Sequence, residues 1–243
     1  MKRVKFGFEL YLAIVCVAVY VLFSSWYGGS GCGKLTQEEV DAYVSKLEKN
    51  ASMPEEARND TFERLRSWGT ADDGGPVYML NLMRTREKPY LFPGAPMDFH
   101  GTAEEANQLY EDKTMPLLLK RGGIPAVWGK AQGKNVVGGG PGLDDWSRLG
   151  FIRYPNRRTF FELLTDPEYL KTAHFKHMGM DFILVPTSAE LAIPDLRLVV
   201  GGALLVIFLG FGWLRSAMRV RRAERSRSAG AKRQGFAFYV NWT

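Results

Sequence analysis

The first candidate for chemistry in the sequence is a phosphate-binding loop. The stretch GGSGCGKLT runs from Gly28 to Thr36, and a Walker A loop reads G-x-x-x-x-G-K-[ST]. Gly28, Gly33 and Lys34 have the required spacing, but Leu35 stands where the motif needs a hydroxyl for magnesium. The stretch also follows an apolar run, whereas a Walker loop follows a strand. We therefore expect no nucleotide site and interpret the glycines as a flexible exit from a membrane.

A histidine pair is the second candidate for chemistry. His174 and His177 are three residues apart, so they share one face of a predicted helix and could ligate a metal or haem. Lys171 and Lys176 lie nearby, and no carboxylate or cysteine falls at helical spacing to complete a site. We interpret this face as solvated and His100 as an ordinary loop residue. The sequence thus predicts no metal site and no cofactor.

Four further residues could line a small cavity. Asn81 interrupts an apolar run, and Arg153 places a charge on a predicted strand. Buried polar groups need partners, so these two, with Trp128 and Tyr154, could face a space between a sheet and whatever covers it. The alternative is an internal hydrogen bond or an ion pair at a dimer interface. No catalytic triad, catalytic carboxylate pair or redox cysteine pair is evident, so we predict no catalytic residue.

Two apolar runs, 6–23 and 198–214, set the organisation of the chain. The first contains Glu9 as its only charge, and the second contains none. A bilayer core needs about 20 mostly apolar residues, with about 17 as the lower limit. We predict membrane helices within 1–27 and 196–218. The alternative for the first run is a signal peptide cleaved near Ser30, and for the second a buried soluble helix.

The basic residues of the termini predict the orientation. Lys2, Arg3 and Lys5 precede the first run. Eight basic residues follow the second: Arg215, Arg219, Arg221, Arg222, Arg225, Arg227, Lys232 and Arg233. Between them, 28–196 holds 20 Lys and Arg against 24 Asp and Glu, a net charge of −4. The positive-inside rule places both termini, including a basic tail over 219–243, in the cytoplasm and the middle in a periplasm. Anionic lipid is therefore a nearer partner than nucleic acid.

The middle of the chain divides into a neck and a domain. A glycine-rich hinge and two amphipathic helices are expected within 28–75, the first opened by a capping box of Thr36 and Glu39. A second capping box, Thr102 with Glu105, opens a helix inside the domain at 76–190. We predict strands over 77–84, 125–132, 147–154 and 181–186, and a helix after Asn156 that breaks at 166–167. The order βαββαβ is the split ferredoxin-like α+β plan.

In that plan both helices cover one face of the sheet. The other face then needs a cover, and Val77, Met79, Val127, Leu149 and Phe151 could supply its apolar surface. A second copy, packed sheet against sheet, is the natural cover.

The domain resembles the dimeric α+β barrel superfamily and, within it, an uncharacterised small-domain family of unknown function. The stretches that carry the likeness are VYMLNLMR at 77–84, YEDKTMPLLLKRGGIPAVWG at 110–129 and the run from FIRYPNRRTFFELL to FILVP at 151–186. They span about 110 of 243 residues. The superfamily includes haem-degrading and antibiotic-biosynthesis monooxygenases, dye-decolorising peroxidases and members without known chemistry, so the resemblance implies a fold and not an activity.

The function we expect is that of a non-catalytic, membrane-anchored accessory subunit. Its partners would be the lipid bilayer and either other subunits of a membrane complex, respiratory or photosynthetic, or a second copy. The alternative is a membrane-tethered periplasmic domain that binds a small molecule or acts as a monooxygenase. Whether the chain is an enzyme stays open at this point.

Overall fold

The computed structural model describes residues 7–29, 31, 33–140, 142, 145–188 and 195–240, with side chains described as far as Arg225. Lys2, Arg3, Lys5, Cys32 and the last three residues lie outside these ranges. In chain order the elements are α1 (Phe8–Gly28), α2 (Gln37–Asn50), α3 (Glu55–Thr70), β1 (Val77–Thr85), α4 (Ala103–Lys120), β2 (Ile124–Lys130), β3 (Arg148–Tyr154), α5 (Arg157–Leu164), α6 (Pro167–Leu170), α7 (Ala173–Gly179), β4 (Met180–Thr187) and α8 (Leu196–Val240).

The chain forms two compact units. One comprises residues 1–24 and 194–243, and the other comprises 25–193. The second unit, called the domain below, therefore contains the predicted neck as well as the sheet. It also contains the last turn of α1.

The smaller unit is a pair of antiparallel helices. Glu9 near the start of α1 pairs with Arg215 at 3.3 Å and with Arg219 at 3.2 Å. Further along, Tyr20 lies against Gly201, where a Cβ would come within 3.1 Å of the tyrosine ring. Both helices are long and apolar enough to cross a membrane, by length and composition. The single charge of the first apolar run is thus paired with arginines that follow the second.

A four-stranded antiparallel sheet organises the domain, a mixed α+β structure. The strand order is β2-β3-β1-β4, so the two central strands, β3 and β1, come from different parts of the chain. The four predicted strands are confirmed to within two residues at each end. The predicted helix break at 166–167 is also confirmed, because Asp166 caps α6 and Pro167 occupies its first position.

The domain core lies between the sheet and its helices. Val77, Met79 and Ile152 of the central strands pack with Leu118 of α4 and Phe160 of α5. All five side chains are at most 7% exposed. Val77 and Met79 therefore lie on the helix-covered face, and the expectation that they belong to the uncovered surface is wrong. Residues alternate between the two faces of a strand, and the VYMLNLM run is apolar at most positions of both sets.

The neck helices pack on the helix layer. Val40, Val44 and Leu47 of α2 form a cluster with Phe62 of α3 and Phe161 of α5. Arg158 of α5 donates to both oxygens of Glu39, with Nη1···Oε1 2.5 Å and Nη2···Oε2 2.9 Å. This pairing and the Thr36 backbone N–H hold the pKa of Glu39 at about 2. The predicted capping boxes at Thr36 and Thr102 are both confirmed.

The last turn of α1 is bound to the domain. The indole N–H of Trp26 donates to the Leu119 carbonyl at 2.7 Å. Arg153 donates to the Tyr27 carbonyl at 3.1 Å, and its guanidinium lies 3.6 Å from the centroid of the Tyr27 ring. At Gly122, with φ +77°, a Cβ would overlap the Trp26 carbonyl. The two residues that precede the glycine-rich stretch are thus packed against the domain.

The other side of the sheet is an apolar surface. We call it the open face, and its members, placed by the strand register opposite one another, are Leu80, Leu82, Val127, Leu149, Phe151, Ile183 and Val185. Val127 is 54%, Ile183 48% and Val185 39% exposed. The expected membership of Val127, Leu149 and Phe151 is confirmed. Since α2 and α3 pack on the helix layer, the neck does not cover this face.

Candidate functional site

The candidate site is a cavity of about 60 Å³ between the sheet and its helices. Asn81, Trp128 and Tyr154 line it from the strands, and Tyr110 and Lys176 line it from α4 and α7. A water needs roughly 10–15 Å³ of such volume. The space therefore suits a few waters or a ligand of a few non-hydrogen atoms.

Asn81 supplies the polar group of the sheet. It is 3% exposed, and its amide N–H donates to the Met79 carbonyl at 3.1 Å. Its side-chain oxygen accepts from Lys176 Nζ at 3.3 Å. Its neighbour across β3 is Gly150, where a Cβ would overlap the Trp128 ring. The glycine thus leaves the indole room to lie over the sheet beside the asparagine.

Lys176 is the unusual group of the cavity. It is 6% exposed, although lysine is almost never fully buried unless it is paired. Its ammonium lies 4.3 Å from the Phe182 ring centroid and 5.3 Å from that of Tyr110. The rings attract the cation through their π faces. The described residues place no carboxylate oxygen within 4.0 Å of it, so the amide of Asn81 and two aromatic rings replace a salt bridge.

Burial changes the protonation of this lysine. It lowers the pKa of Lys176 from 10.5 to about 8, while the charge of Glu111 acts in the opposite direction. A buried ammonium loses hydration that one amide oxygen replaces only in part. Near pH 8 the cavity therefore holds a mixture of amine and ammonium.

Three tyrosines of the cavity lining are neutral. Burial raises the pKa of Tyr110, Tyr154 and Tyr169 above its ordinary value. Their hydroxyls remain protonated at physiological pH and can donate hydrogen bonds.

The acidic group of the cavity is already engaged. Glu111 of α4 accepts from Asn107 at 2.6 Å and from Arg148 of β3 at 3.2 Å. The side chains of Glu111 and Arg148 are 13% and 14% exposed. Glu111 is thus paired with Arg148, and Lys176 is a cationic group in the lining of the cavity.

The predicted histidine pair lies at the edge of this region. His177 lines the cavity, and burial, aided by the nearby charge of Lys176, lowers its pKa to about 4. Burial also lowers the pKa of His174. Among the described residues, no three His, Cys, Asp or Glu side chains form a group that could hold a metal ion. His100 is exposed.

The structure brings together three of the four predicted cavity residues. Asn81, Trp128 and Tyr154 line one cavity, which lies between the sheet and the helices instead of beneath a separate cover. Arg153 lies on the opposite face, in register with Tyr78, where Tyr27 covers it. Arg153 and Tyr154 are adjacent in one strand, so their side chains point to opposite sides.

Sequence reasoning missed the central group of the site. Lys176 was interpreted as part of a solvated face, because exposure is the ordinary state of lysine. The sequence holds one signal: Ala173, Phe175, Met178 and Met180 are apolar residues close to Lys176 and lead into the strand β4. A lysine among such residues next to a strand is a candidate for burial.

The comparisons with known proteins show similarity to solved structures but assign no function to this chain. No protein-family model matches the chain, and no curated protein matches it. The solved structures that match include the RPA0582 protein of unknown function from Rhodopseudomonas palustris, at 24% identity and a TM-score of 0.45. The match covers 55% of this chain and 95% of that chain. The methylated RPA0582 protein matches at the same identity and TM-score, over 56% and 94%.

Proposed function

We propose that this chain is a non-catalytic, membrane-anchored interaction subunit that assembles through the open face of its domain. The observation that carries the proposal is the exposure of Val127, Ile183 and Val185 beside four half-buried apolar neighbours on one continuous surface. Contiguous exposed apolar patches mark interaction sites. We place this subunit in a membrane protein complex.

The occupant to which we commit is a second copy of the domain. The strand order β2-β3-β1-β4, with crossovers through α4 and through α5 to α7, supports a ferredoxin-like topology. The resemblance to dimeric α+β barrels implies a sheet covered by the sheet of another copy. Two sheets pack about 10 Å apart through interdigitated side chains, and the open face offers seven uncharged ones.

Assembly is tested on the full chain in mild detergent. Native mass spectrometry should show two copies, and Ile183→Lys should give single copies because it places a charge inside the interface. The matched control is Leu109→Lys, which changes an apolar residue of α4 that is 43% exposed and lies away from the open face. Single copies of the unaltered chain with no bound subunit would overturn the proposal. Single copies bound to a different subunit would show that this subunit, and not a second copy, is the binding partner.

The proposed location is the inner membrane, with both termini in the cytoplasm and the domain in the periplasm. The basic residues after 214 support this orientation, and the antiparallel pairing of α1 with α8 supports termini on one side. The contacts of Trp26 and Tyr27 speak against a cleaved signal peptide, because cleavage near Ser30 would remove both from the domain. Reporter fusions at Gly75 and at the C-terminus should report opposite sides of the membrane.

A second function is favoured by Lys176. Burying this cation lowers stability, and groups of that kind concentrate at functional sites. The cavity would bind a small ligand with an oxygen acceptor, such as a short carboxylate. Acetate and propionate should raise the melting temperature of the unaltered chain and leave Lys176→Met unchanged. An equal shift in both, or none in either, would exclude this function, and an absorbance scan for haem or flavin tests the monooxygenase alternative.

A further inference from the structure

The helix pair carries a charged cleft that the proposed function does not use. Its volume is about 470 Å³, and three arginines of α8 line it: Arg215, Arg219 and Arg222. Their spacing of four and three residues places them along one face of the helix. The apolar part of the lining comes from Phe8 of α1 and from Phe211, Leu214 and Met218 of α8.

One carboxylate lies against these arginines. Glu9 pairs with Arg215 and Arg219, and the guanidinium of Arg215 also lies 4.6 Å from the centroid of the Phe8 ring. Two guanidinium groups thus share one carboxylate, so these ion pairs carry one more positive than negative charge. A ligand that is anionic at one end would balance this charge.

The position of the cleft along the helices determines the other end of the ligand. Arg215 is the first charged residue after the apolar run of α8, and Glu9 lies in the first turn of α1. In a bilayer this depth corresponds to the boundary between acyl chains and headgroups, where basic side chains reach the interface. A guanidinium binds a phosphate oxygen pair in a bidentate manner, and the apolar side chains suit an acyl chain.

We propose that the cleft lined by Phe8 and the arginines of α8 is a binding site for the phosphate headgroup of an anionic phospholipid. The phosphate lies among Arg215, Arg219 and Arg222, and the acyl chains lie along the apolar side chains. Glu9 pairs with Arg215 and Arg219 and so competes with the phosphate for these two arginines. The site prefers a phospholipid with a net negative charge, because a zwitterionic headgroup brings its own cation against the arginines.

The test uses the full chain in mild detergent and phospholipids of defined composition. Native mass spectrometry measures retention of phosphatidylglycerol and of phosphatidylcholine added at equal concentration. We expect phosphatidylglycerol to be retained at least fivefold better. Arg219→Gln and Arg222→Gln should each lower its retention about fivefold, the effect of one basic residue near a membrane surface. Equal retention of the two lipids would overturn the proposal.

The matched control is Arg221→Gln. It removes the same charge from the same turns of α8, but Arg221 does not line the cleft. Its phosphatidylglycerol retention should stay within twofold of the unaltered chain. A loss of phosphatidylglycerol retention as large as that of Arg219→Gln would show that any basic residue of the helix attracts the lipid. The proposed site would then be overturned.

Two further measurements separate the site from simpler roles. Inorganic phosphate, added in excess, should not displace phosphatidylglycerol, because the acyl chains add contacts that free phosphate lacks. Complete displacement would show that the acyl chains contribute nothing to binding and would overturn the proposed lipid site. Glu9→Gln frees two arginines and should raise phosphatidylglycerol retention. A fall in retention would show that the arginines serve to pair with Glu9, which would also overturn the proposal.

Discussion

Both faces of the sheet are largely apolar, but helices cover one of them and the other is exposed. The covered face packs Val77, Met79 and Ile152 against helices and leaves a small polar cavity around Asn81. The open face has almost no polar groups at its centre and leaves its apolar side chains exposed. Burial therefore does not follow polarity on this sheet, because Asn81 is covered while Val127 and Val185 are exposed.

This difference separates the face that stabilises the folded chain from the face that we propose binds a second copy. The covered face holds groups whose burial is unfavourable, including Lys176 and His177, and the helices must supply the stabilisation that offsets them. The open face contributes little to the folded chain by itself. Its exposed apolar area becomes favourable only when another surface covers it.

The largest expected effect is a difference in the free energy of unfolding between substitutions at two neighbouring residues on opposite faces. Ile152→Ala should lower the free energy of unfolding by about 3 kcal/mol, because it empties space in the core. Phe151→Ala on the open face should cost about 1 kcal/mol or less. Chemical denaturation of both variants at low protein concentration measures the contrast. Equal losses would mean that the two faces are equally packed.

The second prediction concerns Lys176. Lys176→Met should raise the free energy of unfolding at pH 7 by about 2 kcal/mol, since the shift from 10.5 to about 8 makes burial of the charged form unfavourable. Below pH 8 both folded and unfolded chains carry the proton, so the full penalty is present. Between pH 8 and 10.5 the folded chain loses it first, and the gain from the substitution should shrink.

Chemical denaturation at pH 7 and pH 10 tests whether the stability gained by Lys176→Met shrinks as the pH rises. A gain that is constant with pH would assign the effect to packing, and a loss of stability would show that the Asn81 hydrogen bond outweighs the burial of charge.

The third prediction concerns acid. The pKa of His177 is about 4, against an ordinary value near 6.5, so the unfolded chain takes up the proton first as the pH falls. Stability due to neutral His177 is complete above pH 6.5 and should fall by about 2 kcal/mol between pH 6.5 and 4. His177→Phe should remove this part of the pH dependence, because the ring still fits between Phe92 and Phe182. Identical acid profiles would contradict the assignment.

The smallest effect is expected on the open face. Ile183→Lys should change the free energy of unfolding of single chains by less than about 0.5 kcal/mol, since Ile183 is 48% exposed. A loss above 2 kcal/mol at low protein concentration would mean that the face already packs within one chain. The comparison of the two faces would then fail.

Local signals made much of the domain predictable. Side-chain capping at Thr36, Thr102 and Asn156 fixes the helix starts within a few residues, and the predicted strand positions follow from alternating or continuous apolar runs. These features depend on neighbours in sequence. The same is true of Pro167, which sets the position of α6 wherever the helix packs.

Long-range placement was not predictable in the same way. The VYMLNLM run is apolar at nearly every position, so the sequence does not say which set of side chains meets the helices. Lys176 is buried only because Asn81, 95 positions earlier, and the ring of Tyr110 meet it in space. The sequence analysis places Arg153 and Tyr154 in one cavity, although adjacent residues of a strand point to opposite faces.

The attachment of Trp26 and Tyr27 has a practical consequence for anyone who wishes to handle the domain without the two long apolar helices. A soluble version that starts at Lys34, where the amphipathic segment begins, would strip the aromatic lid from Arg153 and leave the hollow at Gly122 unfilled. Starting the fragment at Ser25 keeps both. The residues that look like the tail end of an anchor are, in the folded molecule, the first structural residues of the globular part.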